Sequence, residues 1–311
     1  MNQYIKINDL PSITSAVQEA IALKSDPYKH KHLGAQKTLV MLFFNASLRT
    51  RLSTEKAAKN LGMEVIVLNV TDAWQLEFES GVVMNLDKSE HVKEAAQVIS
   101  QYADILAVRA FPSLKDKAKD ESEWIINSFV NYATVPIVNM ESATGHPLQA
   151  LADAITIEEL KTKKNPKVVL SWAPHPKVLP HAVANSFIEM MQSIDVDFSI
   201  THPEGYELAP EIVKDTPVIF AQEDALKNAD FVYVKNWSNY KDYGRNTSQD
   251  SNWMMTKEKL GSAQFMHCLP VRRNVVVEDA VLDSDQSVVI AQSNNRTYAA
   301  QLVLKKILEN G

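Results

Sequence analysis

Four short stretches of the chain concentrate side chains that could bind or move charge. SLRTR, residues 47–51, sets two arginines beside two hydroxyls directly after an apolar run. Arg109 ends a second apolar run in LAVRAFP, His146 and Gln149 follow a third in GHPLQ, and Cys268 follows a fourth in HCLPVRR. Guanidinium and hydroxyl groups at the opening of a helix are phosphate-binding chemistry. The first amides of a helix have no partner within it and carry partial positive charge, and arginine meets two phosphate oxygens at once. Ser47, Thr50 and a bidentate Arg49 are the candidate donors. Arg51, two residues on, points away from Arg49 and reads as a bracing residue. The same turn also reads as a solvated helix start capped by Ser47 with Glu55 nearby, since no Gly-rich phosphate loop accompanies it.

The elements that must position these groups alternate along the chain. Thr38 to Phe44 (TLVMLFF) is apolar after its first residue, the pattern of a strand buried on both faces. Leu48, Leu52, Ala57, Ala58 and Leu61 then recur at helical spacing until Gly62. Further candidate strands are 64–69, 104–109, 135–139, 167–172, 196–200, 217–220, 230–235, 264–267 and 287–291, and 91–102 and 178–193 read as amphipathic helices. Strand–helix alternation of this kind predicts an α/β protein with doubly wound parallel sheets. Ten strands suit two open sheets better than one barrel. Gly145, Pro147 and the polar KTKKN place a domain crossing near residue 148, which gives domains 1–147 and 148–291. The last segment, 292–311, is expected to return as a helix to the first domain. Ligands of open α/β sheets bind beyond the carboxyl ends of strands, and all four clusters have that address.

Composition narrows the class. The 311 residues are 45% hydrophobic and 23% charged, enough for real cores. A net charge of −6 and a pI near 5.8 oppose a general nucleic-acid binder. Cys268 is the one cysteine, so no intrachain disulfide forms and a reducing compartment fits. The start MNQYIKINDL lacks a signal-peptide core, and no run of about 18 apolar residues suggests a membrane span, so a cytoplasmic location is expected. A nucleotide-dependent dehydrogenase would need a Gly-rich turn after its first strand, and the chain has eight glycines and no GxGxxG. A non-catalytic anion-binding protein remains as a rival class, which an assay for ureido product separates.

SLRTR, HPLQ and HCLP, in this order and across essentially the whole chain, resemble the aspartate/ornithine carbamoyltransferase superfamily. Asn45, Ala46 and Leu48 depart from the usual acidic-Pro-Ser-Thr-Arg-Thr-Arg pattern, while Ser47, Arg49, Thr50 and Arg51 match it. The resemblance implies that Ser47, the Leu48 and Thr50 amides, Arg49 and Arg109 hold the phosphate of carbamoyl phosphate. It implies that His146 and Gln149 bind the carbamoyl group, with the Leu269 carbonyl and Arg296 (SNNRTYAAQ) on its other side. The implied chemistry is attack of a neutral amine on the carbamoyl carbon, with His146, Arg296 and Cys268 at the reacting centre and neither metal nor organic cofactor.

The acceptor amine follows from what is missing. No paired arginine and lysine motifs for the two carboxylates of aspartate are present. Where ornithine enzymes carry an Asp and a Ser-Met-Gly element for the free α-amine, this chain has VKNWSNYKDYG. In this it resembles the N-acylornithine carbamoyltransferases, which implies that Lys235, Glu141, His175 and Cys268 face the N-acyl-L-ornithine. Trp74 sits in a polar loop (TDAWQLEFESG) outside any core pattern. The family places that loop, and the one with Glu90, in a neighbouring subunit's site, which implies a homotrimer with shared active sites. Glu90 beside an acyl pocket would repel a succinyl carboxylate by roughly 4 kcal/mol at about 4 Å and an intermediate dielectric. The rest of the chain resembles the succinyl-using branch, and Val276 stands where the acetyl-using branch has lysine. N-acetyl-L-ornithine is the substrate expected from Glu90, and N-succinyl-L-ornithine is the alternative.

Overall fold

A continuous apolar run needs cover on both faces, and β1 (Thr38–Phe43) finds it at the interior of a parallel sheet. Leu39, Met41 and Leu42 are fully buried there, each worth about 1.5–3 kcal/mol of transfer free energy. The computed structural model describes residues 1–70, 74–248 and 250–310, so Thr71–Ala73 of the loop before Trp74 lie outside the described residues. Among these residues the chain divides into two units, Met1–Leu148 with Arg296–Gly311, and Gln149–Asn295.

The first unit pairs β1 with β2 (Glu64–Asn69) on one side and β5 (Ile105–Arg109) on the other, and β6 (Ile137–Glu141) extends the sheet beyond β5. A two-residue parallel pair, β3 (Leu76–Glu77) and β4 (Glu90–His91), stands apart from it. The second unit pairs β7 (Lys167–Trp172) with β8 (Asp197–Thr201) and β9 (Phe231–Lys235), followed by β10 (Gln264–Met266). Counted within each four-stranded sheet, the order is the same: second, first, third, fourth. In both, the chain leaves its first strand to one side and later returns on the other. The crevice where this reversal happens, between β1 and β5 and between β7 and β9, is where open parallel sheets bind ligands.

Helices cover the sheets. The Arg49–Asn60 helix ends at Gly62, whose φ of +86° is the left-handed geometry that glycine adopts without penalty. The Val289–Leu308 helix returns to the first unit, where the two ends of the buried Gln301 amide accept from Asn60 Nδ2 (2.9 Å) and donate to the Pro27 carbonyl (2.6 Å). Lys306 pairs with both oxygens of Glu19 at 2.8 and 2.9 Å. Among the described residues no helix is long and apolar enough to cross a membrane.

Two expected strands are corrected. Residues 217–220 contribute a single bridge, Ile200 to Val218, because Pro217 lacks the N–H a ladder needs. Residues 287–291 give one bridge, Phe265 to Ser287, and then enter the C-terminal helix at Val289. A short β-branched run cannot be told from a buried helical turn by its apolar pattern alone. The pair β3 and β4 was not anticipated, being only two residues long on each side.

Candidate active site

At the crevice of the first unit, backbone geometry brings the first two clusters together. Phe43 and Arg109 are register partners, and the Phe44 amide donates to the Arg109 carbonyl at 2.9 Å. Arg109 then turns its guanidinium back over the following turn. Its Nη1 donates to the carbonyls of Asn45 (2.9 Å) and Ala46 (3.1 Å), and its Nη2 meets Glu141 Oε2 at 3.0 Å. The Asn45 side chain accepts from the Phe111 amide at 2.7 Å, so this departure from the family pattern ties the two loops together. Ser47 Oγ accepts from the Thr50 amide at 3.3 Å and caps the Arg49–Asn60 helix, which begins with two arginines on its first turn. Thr50 Oγ1, buried, accepts from Arg296 Nη2 at 2.7 Å. Arg49 is half-buried, while Leu48 is exposed.

The third cluster joins at the end of β6. Glu141 Oε2 lies 3.5 Å from His146 Nε2 as well as against Arg109, so one buried carboxylate touches both a phosphate candidate and a carbamoyl candidate. Removing one partner of such a buried pair typically costs about 3–5 kcal/mol. The turn carrying His146 is braced by Glu123, whose carboxylate accepts from Ser142 Oγ (2.7 Å), the Ala143 and Thr144 amides (3.1 and 2.7 Å) and Thr144 Oγ1 (2.5 Å).

Trp74 and Glu90 meet across the β3–β4 pair: the indole N–H donates to Glu90 Oε2 at 2.7 Å. Trp74 is half-buried against its own unit's apolar cluster, the place of a lid over its own domain. Phe78 and Trp124 continue this aromatic layer edge to face at 4.7 Å.

The crevice of the second unit is cationic. Trp172 and Lys235 are register partners, and the Ala173 amide donates to the Lys235 carbonyl at 3.2 Å. The Lys235 side chain is buried, and among the described residues it makes no ion pair. His175 lies in the proline-rich turn after β7. Its Nδ1 faces both the carbonyl (2.9 Å) and the amide (3.0 Å) of Lys177, and its Nε2 accepts from Arg272 Nε at 3.3 Å. Burial, then the charges of Lys235, Arg272 and Lys177, hold this imidazole below the usual histidine range. Arg272 belongs to the HCLPVRR stretch, whereas the neighbouring Arg273 is paired with Asp279 and Asp283.

The HCLP segment follows β10. Cys268 is half-buried, the Leu269–Pro270 bond is cis, and the Leu269 amide donates to His267 Nδ1 at 2.9 Å. Gln149 is almost fully buried, with Nε2 donating to Asp153 Oδ1 at 2.7 Å. Within the first unit, therefore, Ser47, Thr50, Arg109, Glu141, His146 and Arg296 form one connected neighbourhood, with Trp74 and Glu90 paired elsewhere. Within the second, His175 lies close enough to Lys235 at the sheet crevice to feel its charge. Glu123, Asp153 and Arg272 were not expected from the sequence, and of these only Arg272 carried a signal, its place two residues after HCLP.

Two family models match, the aspartate/ornithine carbamoyltransferase carbamoyl-P binding domain over residues 2–159 and the Asp/Orn binding domain over residues 180–307. The N-succinylornithine carbamoyltransferase of Bacteroides thetaiotaomicron is 49% identical over 99% of each chain. The N-acetylornithine carbamoyltransferase of Xylella fastidiosa is 34% identical over 94% of this chain and 95% of its own. A crystal structure of N-acetyl-L-ornithine transcarbamylase superposes with a TM-score of 0.92 and 31% identity, covering 99% of this chain and 100% of that one. That protein is a glutamate-to-valine variant complexed with carbamyl phosphate and N-succinyl-L-norvaline. With both halves matched in order and relatives alike over nearly their whole length, this chain belongs to the aspartate/ornithine carbamoyltransferase family.

Proposed function

We propose that the chain transfers the carbamoyl group of carbamoyl phosphate to the δ-amine of an Nα-acylated L-ornithine, giving N-acyl-L-citrulline and phosphate, a step of arginine biosynthesis. Arg49, with Ser47, Thr50, Arg109 and the Leu48 and Thr50 amides, neutralises the phosphate both as bound group and as leaving group. His146, Arg296, Gln149 and the Leu269 carbonyl orient the carbamoyl group, and donors at its oxygen stabilise the charge that develops during attack. The neutral amine forms the new C–N bond, the C–O bond to phosphate breaks, and the departing phosphate takes up the amine proton. Aligning two bound substrates supplies much of the acceleration. Lys235, His175 and Glu141 serve the acylornithine, Cys268 faces its δ-amine, and the Trp74–Glu90 loop serves the acyl group of a neighbouring subunit in a homotrimer.

The observation that carries the choice of acyl group is Glu90, a half-buried carboxylate fixed by the Trp74 indole. It disfavours a second carboxylate and leaves N-acetyl-L-ornithine as the better substrate. The opposite reading, N-succinyl-L-ornithine, is favoured by the names of the relatives at 49% identity. Turnover of N-acetyl-, N-succinyl- and free L-ornithine with carbamoyl phosphate tests both. Faster succinylornithine turnover removes the Glu90 argument and keeps the reaction; turnover of free ornithine alone removes the acyl assignment.

A further inference from the structure

Gln149, Asp153 and Thr156 share one face of the Pro147–Leu160 helix, and Gln292 and Asn295 share one face of the Val289–Leu308 helix. All five belong to the second unit and are at most 1% exposed. They meet as a buried polar seam. Gln149 Nε2 and Gln292 Nε2 both donate to Asp153 Oδ1, each at 2.7 Å. Gln292 Oε1 accepts the His267 amide at 3.0 Å, and Asn295 Nδ2 donates to Thr156 Oγ1 at 3.0 Å.

The sense of a carboxamide is not set by its shape, because its oxygen and nitrogen ends are nearly the same size. It is set by what each end meets. Asp153 Oδ1 accepts, so both glutamines must turn their NH2 groups to it. The His267 amide donates, so it takes the oxygen end of Gln292, and the two demands on Gln292 agree. One carboxylate therefore fixes two amides. With Nε2 of Gln149 committed to Asp153, Oε1 is the end its carboxamide presents on the opposite side.

We propose that Asp153 is a positioning residue for carbamoyl transfer: it holds Gln149 with the oxygen end toward the carbamoyl NH2, and through Gln292 it anchors the backbone that leads to Leu269. The inference rests on the functional reading above, in which Gln149 and the Leu269 carbonyl contact the carbamoyl group. A carbamoyl NH2 donates two hydrogen bonds, and acceptors at both fix the plane of the group and hence the direction from which the amine attacks. A reversed Gln149 would set NH2 against NH2 and release that plane.

Steady-state kinetics on the full-length enzyme with carbamoyl phosphate and both acylornithines test this, using D153A, D153N, Q149A and D153A/Q149A. D153A is expected to lower kcat about 10–100-fold, as loss of a group that orients a ligand-binding residue does, with the acylornithine KM little changed. D153N keeps an acceptor oxygen and recovers most of the rate. In the Q149A background D153A costs much less than in the wild type, because the route through Gln149 is already gone and only the one through Gln292 remains to be lost. Full additivity, or D153N as poor as D153A, overturns the proposal. Should D153A fail to fold, the exchanged pair decides. Q149E sets two carboxylates together and loses activity, and Q149E/D153N regains it, since the new amide donates to one oxygen of the new carboxylate and the other stays an acceptor. No recovery also overturns it. A wild-type enzyme inactive with both acylornithines removes the functional reading and this inference together; an active one with additive variants removes the inference alone.

Discussion

The two units repeat one sheet order but leave their first strand in different ways. After β1 the chain needs only Phe44 to Leu48 to reach a helix, and every part of that turn is tied down: Phe44, Asn45 and Ala46 by Arg109 or its neighbour Phe111, and Ser47 by the helix it caps. After β7 it runs from Ala173 to His181 with three prolines. That longer turn is held from outside itself, by Asn236 on the Ala173 carbonyl (2.7 Å), Asn246 on the His175 carbonyl (2.5 Å) and the Ser238 amide on the Leu179 carbonyl (3.0 Å). A short turn fixed residue by residue to the end of the neighbouring strand suits a small anion of constant shape. A long turn held by a second loop can change its contents when that loop changes, which suits the more variable partner of a reaction.

Breaking the short turn should be the most damaging change. R49A is expected to lower kcat/KM about 10²–10³-fold, the cost of removing one preorganised charge-stabilising donor, and by a similar factor for every acyl acceptor. Calorimetry with carbamoyl phosphate should lose its signal in parallel; an R49A enzyme that still binds it normally would falsify the assignment of this turn. T50V keeps the shape but leaves the buried Arg296 guanidinium without its hydroxyl acceptor. About 1–3 kcal/mol of stability should go, read by urea unfolding, together with carbamoyl phosphate affinity. A T50V enzyme of unchanged stability would show that this hydrogen bond contributes little.

Changes in the long turn should be milder and selective. H175A is expected to raise the acylornithine KM about tenfold and to leave kcat and the carbamoyl phosphate KM nearly unchanged, the pattern of lost uniform binding. A fall in kcat instead would move His175 into the chemical step. The smallest effect concerns His202, buried in the second unit between the Trp237 and Phe220 rings with Nδ1 on the Pro203 carbonyl at 2.9 Å. Burial pushes its imidazole below the ordinary range. The unfolded chain takes up a proton near pH 6.5 while the folded one resists it, so stability is intact above about 6.5 and declines on acidification. One proton allows a slope of at most about 1.4 kcal/mol per pH unit. H202N should flatten the difference between melts at about pH 7.5 and about pH 5.5; equal slopes in both proteins would assign the acid sensitivity elsewhere.

Much of this architecture is legible in the chain because interior parallel strands are buried on both faces and announce themselves as unbroken apolar runs. β1, β5, β7 and β9 all do, and the cationic and imidazole groups singled out from sequence stand at their carboxyl ends or a few residues beyond. The run 287–291 misleads for the same reason, since a buried first helical turn has the same composition. Asn45 looks like a defect in a motif until its carbonyl and its side chain are seen to accept from Arg109 and Phe111. Asp153 is harder still. On its helix it resembles one more polar residue in LADAITIEE, and its partner Gln292 lies 139 residues further along. Residue type announces chemistry at a strand end, whereas a seam between distant helices is written in two places at once.

The first unit has one more property with a consequence in time. It is made of two pieces, Met1–Leu148 and Arg296–Gly311, separated by the entire second unit. Arg296 closes on Thr50 and Gln301 on Asn60, so the Arg49–Asn60 helix lacks those contacts until the last stretch of chain exists. At ordinary synthesis rates that interval is on the order of ten seconds. During it the second unit can mature on the ribosome as an uninterrupted piece, while the first waits for its final helix to emerge.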